Sequence, residues 1–82
     1  MDIQDFERTF RYVLKREMRN ISEIELSERT GISVVTISKY RKGKAIPNAR
    51  NLRKIAEALD ITPNDLIWVD EEEMLRLESL YL

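Results

Sequence analysis

An all-α fold is predicted by three observations: apolar residues recur at spacings of three and four, capping residues precede the successive runs, and only two glycines and two prolines interrupt 82 residues. A chain of this length can fill one compact core and not two, so residues 1–82 are expected to form a single domain.

The first helix is expected from Asp2 to Met18, with Ile3, Phe6, Phe10, Val13, Leu14 and Met18 on one stripe. Arg8, Arg11, Lys15 and Arg16 fall largely off that stripe, as surface cations with packed stems. Ser22, with Glu25 three residues on, has the form of a capping box and starts a second helix at about Glu23, in which Leu26 and either Ile21 or Ile24 face inward. Gly31 ends it, because glycine enters the left-handed region without a Cβ penalty. Ser33 then caps a third helix running to Arg41, anchored by Ile37 and Tyr40 and closed by Gly43.

After the loop Lys44 to Pro47, Asn48 caps a fourth helix whose inward stripe is Leu52, Ile55, Ala56 and Leu59. Arg50, Asn51, Arg53, Lys54 and Glu57 are left outside, and Asp60 stands where a left-handed residue would end the helix. Thr62 and Pro63 start a short fifth helix with Leu66 and Ile67, and Asp70 with Glu71, Glu72 and Glu73 starts a last one, to about Leu80.

Cysteine and histidine are both absent, which removes disulfides, thiolate zinc sites, and Ser-His and Cys-His nucleophiles. No cofactor or metal is expected, and the chain is not expected to be an enzyme. The acidic cluster at Asp70 to Glu73 lacks loop glycine and chelating spacing and reads as a solvated helix start. Its acidic N-terminal stretch is unlike a secretory signal, and nothing approaches the ~20 apolar residues of a membrane span; no membrane association and a cytoplasmic location are expected.

The formal net charge of -1 conceals a sharp division. Residues 29–54 hold eight cations (Arg29, Lys39, Arg41, Lys42, Lys44, Arg50, Arg53 and Lys54) and no carboxylate, while residues 55–82 hold eight carboxylates and one cation. Such a stretch reads either as a surface for a polyanion or as a face neutralised by the acidic ends of the same molecule. A helix, a tight turn at Gly31 and a second helix with short polar residues outward have the lengths of a helix-turn-helix, whose second helix enters the major groove of double-stranded DNA.

Residues 21–66 carry Leu26, small Ser27, Gly31-Ile32-Ser33, Ile37-Ser38, Tyr40, Gly43, Pro47 and the run Leu52, Ile55-Ala56, Ala58-Leu59. In these positions the segment resembles the lambda-repressor-like (Cro/repressor, XRE-type) helix-turn-helix family. That resemblance implies five packed helices, here with an additional C-terminal helix, and sequence-specific operator binding, usually as a dimer, by a small bacterial or phage regulator. It also implies base reading by Val34, Val35, Ser38 and Lys39, and places Ser33, Thr36, Lys42, Lys44, Asn48 and Ala49 near phosphates; Arg50, at the same helix start, is added to the phosphate set. The chemistry suits these roles: Lys39 donates to guanine O6 or N7, Ser38 bonds several base edges, and valine methyls pack on thymine. Two adjacent valines are not expected to share one face, so one of them has core packing as its alternative. Two departures from the pattern stand out: Glu23 replaces a frequent Gln that helps bind backbone and bases, and Arg41 replaces a frequent Glu. A carboxylate at 23 repels phosphate unless Lys39 or Arg41 neutralises it, and the two departures together read either as a compensating charge exchange or as the mark of a member with weaker or altered DNA affinity.

Residues 68–82 hold more apolar surface than a last helix needs to cap so small a core, and Trp68, Met74, Leu77 and Tyr81 are expected at a homodimer contact. In the alternative, this segment folds back on the first helix of its own chain. Truncation after Asp70 separates the two, leaving a folded monomer in the first case and a damaged core in the second. A second functional reading, in which the fold binds a protein partner as an antitoxin or anti-repressor would, is favoured by Glu23 and the acidic end.

Overall fold

The computed structural model describes the backbone of residues 3–82 and the side chains from Asp5 onward. Met1, Asp2 and the side chain of Ile3, the first member of the predicted stripe, lie outside the described residues. Six α-helices follow in order: α1 (Ile3–Glu17), extended by a 3-10 turn (Met18–Asn20), α2 (Glu23–Thr30), α3 (Val34–Arg41), α4 (Ala49–Ala58), α5 (Pro63–Ile67) and α6 (Glu71–Tyr81). No strand occurs among the described residues.

The helix starts fall where the sequence places them because five of them carry their own side-chain caps. Ser22, Ser33, Asn48, Thr62 and Asp70 each accept the backbone N–H of the residue three positions on, an interaction worth typically ~1 kcal/mol. At Ser22 only half of the expected capping box forms: the Glu25 carboxylate turns instead to Arg29, at 2.8 Å. The complete box is at α5, where the Thr62 N–H donates to Asp65 at 3.0 Å and the Asp65 N–H donates to Thr62 at 3.1 Å. The Thr62 backbone N–H, and after it the Thr62 hydroxyl, hold the Asp65 carboxyl below its usual range.

Gly31 and Asp60 adopt left-handed conformations, with φ of 76° and 58°. Gly43, at φ 74°, closes α3 in a Schellman arrangement, its N–H donating to the Tyr40 carbonyl and that of Lys44 to the Lys39 carbonyl. A Cβ at Gly43 would lie 2.6 Å from Arg11 Cδ, so the stem of Arg11 fills the space a side chain would need. Arg11 is thus packed beneath this turn, with its guanidinium over the Tyr12 ring, and is not the simple surface cation the periodicity suggests.

α1 is the central element, packed against α3, α5 and α6. Its Phe10, Val13 and Leu14 join Leu26, Ile37, Tyr40, Ile55, Ala56 and Leu66 in one buried cluster. Of the two candidates beside Leu26, Ile21 packs on this cluster and Ile24 stays exposed.

The C-terminal helix folds back on its own chain. Leu77 is fully buried, Met74 and Tyr81 pack on the core, and Tyr81 stacks on Tyr12 with ring centroids 6.2 Å apart. Arg16 to Glu73 at 3.0 Å and Arg8 to Glu78 at 3.5 Å fasten the same contact. Tyr12, absent from the expected stripe, is fully buried because α6 covers a second face of α1. The expectation that Leu77 lies at a dimer contact is therefore corrected: its side chain is spent within the chain, and of the four residues placed there Trp68 is the one left exposed, at 53%.

Candidate nucleic-acid interface

The turn between α2 and α3 is fixed by hydroxyls that satisfy buried backbone. Thr30 donates to the Leu26 carbonyl at 2.8 Å and accepts the Ile32 N–H at 3.1 Å, while Ser27 donates to the Ile32 carbonyl. With Ile32, Ile37 and Tyr40 buried beneath, the opposite face of α3 is held outward. Tyr40 packs edge-on against Phe10 and its hydroxyl accepts from Asn51 Nδ2 at 2.9 Å, which ties the start of α4 to α3. Asn51, expected outside, is half-buried by this bond; it lies eleven residues from Tyr40, and nothing in the helical periodicity signals the pairing.

Val34 and Val35 are both exposed, at 38% and 64%, so neither packs in the core. They line one shallow concavity with Ser38, Lys39, Lys42, Lys44 and, from α2, Glu23. The expectation that adjacent valines cannot share a face fails for a geometric reason: 34 and 38, and 35 and 39, form two neighbouring i,i+4 rows that together make one broad face. Ser33 and Thr36 sit at its edge, their hydroxyls 2.9 Å apart and engaged in capping α3. Lys42 and Lys44 project from the end of α3. Ala49 and Arg50 are exposed in the first turn of α4, beside Asn48, whose Oδ1 takes the Asn51 N–H at 2.8 Å. The structure thus gathers Val34, Val35, Ser38, Lys39, Lys42 and Lys44 around one concavity, with Ser33 and Thr36 at the start of the same helix and Asn48, Ala49 and Arg50 at the start of the next.

The ion pairs bear on both readings of the basic stretch. Carboxylates of the acidic C-terminal helix pair with α1, through Arg16 and Arg8, and not with residues 29–54. Arg29 is occupied by Glu25 and by the Ala58 carbonyl, and Arg41 pairs with Glu23 at 3.4 Å. No ion pair among the described residues involves Lys39, Lys42, Lys44, Arg50, Arg53 or Lys54. Six cations on α3, α4 and the loop between them are left for solvent or a polyanion. The Glu23–Arg41 contact is the charge exchange expected from the sequence, with Arg41 and not Lys39 as the neutralising group.

A protein-family model described as helix-turn-helix matches residues 14–66. Among curated proteins the chain is similar to a cryptic phage CTXphi transcriptional repressor, RstR, of Vibrio cholerae, with 34% identity over 71 residues. That alignment covers 80% of this chain and 63% of the relative, so the chain spans less than two thirds of the relative's length. No solved structure matches at a significant level.

Proposed function

Since this chain belongs to the lambda-repressor-like helix-turn-helix family, we propose that it is a sequence-specific DNA-binding repressor that occupies operator DNA in the cytoplasm. The carrying observation is the exposed face of α3, where Val34, Val35, Ser38 and Lys39 share one concavity with Lys42 and Lys44, and none of these three lysines is in an ion pair among the described residues. Insertion of α3 into a major groove brings Val34, Val35, Ser38 and Lys39 to base edges. Lys42, Lys44, Arg50 and the free N–H groups at the start of α4 then meet phosphates, with Ser33, Thr36, Asn48 and Ala49 alongside. Pairing of Glu23 with Arg41 offsets the carboxylate that would otherwise oppose phosphate on this face, which supports the DNA reading over a partner-directed module.

Mobility shift against genomic fragments over a range of salt concentrations tests this reading, which requires a selected site and rejects uniform binding or none. Lys42→Ala is expected to weaken binding to all sequences alike and to lower the salt slope by about 1. A changed base preference with an unchanged slope would make Lys42 a base reader instead. Lys39→Ala is expected to cost about 1–3 kcal/mol on the true site and to relax preference at one base pair, with no change in melting temperature.

The repressor is proposed to act as a homodimer, since a two-fold pair sets its reading helices about 34 Å apart on successive major grooves. The contact is placed on the exposed flank of α6, around Trp68 and Leu75, beside a groove that carries Arg8 as well as Asp5, Glu71 and Glu78. Trp68 and Leu75 are exposed apolar side chains on one flank, surface of the kind a two-fold contact with a second copy would cover. Leu75→Glu, 62% exposed in the single chain, is expected to leave the fold intact and yield a monomer by analytical ultracentrifugation. A wild-type chain that is monomeric at tens of micromolar removes the homodimer.

A further inference from the structure

The carboxylate of Glu23 lines the α2–α3 concavity beside the exposed residues of α3. It stands on the α2 side, with Lys39 on the α3 side, and no ion pair joins the two. Arg41 takes Glu23 Oε2 at 3.4 Å, and no hydrogen bond among the described residues occupies Oε1. The local charge is thereby offset while one acceptor oxygen remains open in the cleft that the base-reading residues line.

Resting on the DNA reading above, we propose that Glu23 is a specificity-determining residue that accepts a hydrogen bond from the N4 amino group of a cytosine in the major groove. A carboxylate only accepts. The major groove offers it two donors, cytosine N4 and adenine N6. Adenine N6 lies between two acceptors, its own N7 and thymine O4, whose lone pairs oppose the carboxylate on both sides; the cytosine amino group has guanine O6 on one side and only the C5–H edge on the other. Phosphate, the other nearby chemistry, repels the carboxylate, so Glu23 gains from a base edge and from nothing on the backbone. Arg41 acts as a positioning residue, holding the carboxylate at the cleft and offsetting its repulsion of the approaching polyanion. Lys39 and Glu23 then supply a donor and an acceptor in one cleft, which suits a half-site containing both guanine and cytosine.

Selection from a randomised half-site by the wild-type chain, Glu23→Gln and Glu23→Asp tests the assignment, each variant being checked for an unchanged thermal transition. The wild type is expected to enrich cytosine at one position by about tenfold. Glu23→Gln is expected to replace that cytosine with adenine, because an amide matches the N6/N7 pair, and to leave the Lys39-dependent guanine unchanged. Glu23→Asp, which withdraws the carboxylate by one methylene, is expected to lose most of the enrichment without gaining adenine, and it carries the test if the Gln variant is destabilised. A preference that both variants share with the wild type overturns the role of Glu23, as does a uniform rise in affinity for every sequence when the charge is removed. Failure of the wild type to enrich any sequence overturns the DNA reading itself and this assignment with it.

Discussion

Tyr40→Ala is expected to lower the free energy of unfolding by about 3–5 kcal/mol, the range for removing a buried aromatic side chain. The ring is 4% exposed and packs edge-on against Phe10 at 5.9 Å, and its hydroxyl accepts from Asn51. An 82-residue chain has a total stability on the order of 4–12 kcal/mol, so this one truncation removes a large fraction of it. Tyr40→Phe keeps the ring and loses only the hydroxyl contact, at a cost of about 1 kcal/mol. Denaturant titration of the two variants separates packing from hydrogen bonding. Equal melting temperatures for wild type and Tyr40→Ala would mean that α3 is rotated from the orientation described, and the reading face would have to be reassigned with it.

A chain ending at Asp70 is expected to lose most of its stability, to the point that a cooperative thermal transition is no longer seen at 37 °C. Removing α6 takes away Leu77, worth about 1.5–3 kcal/mol by burial alone, and the packed parts of Met74 and Tyr81. It also opens Tyr12, otherwise fully buried, to water. The ion pairs at Arg8 and Arg16 are partly exposed and add little to this total. Circular dichroism of the truncated chain checks the expectation, and retention of the full melting temperature would return α6 to the role of a detachable dimer helix. Leu77→Ala alone is the milder version of the same experiment, at about 2–5 kcal/mol.

The sequence by itself determined the helices, their starts and the turn between α2 and α3, because each is set by interactions within a few residues. Ser22, Ser33, Asn48, Thr62 and Asp70 cap the N–H three positions on, and Gly31 takes the left-handed geometry locally. The carboxylate-free stretch from 29 to 54 is equally a property of the chain order. Only the tertiary structure decided which of those cations remain unpaired, that Arg41 and not Lys39 meets Glu23, and that α6 lies on α1 with Leu77 inside. These are contacts across 18 residues for Glu23 and Arg41, 57 for Arg16 and Glu73, and 70 for Arg8 and Glu78. Periodicity names the apolar side of a helix without naming what covers it: the single stripe of α1 gave no sign that a second helix would bury Tyr12. That choice is made when the helices pack, by which apolar faces and opposite charges meet most completely, and the same packing leaves the exposed face of α3 outward with Lys39, Lys42 and Lys44 around it.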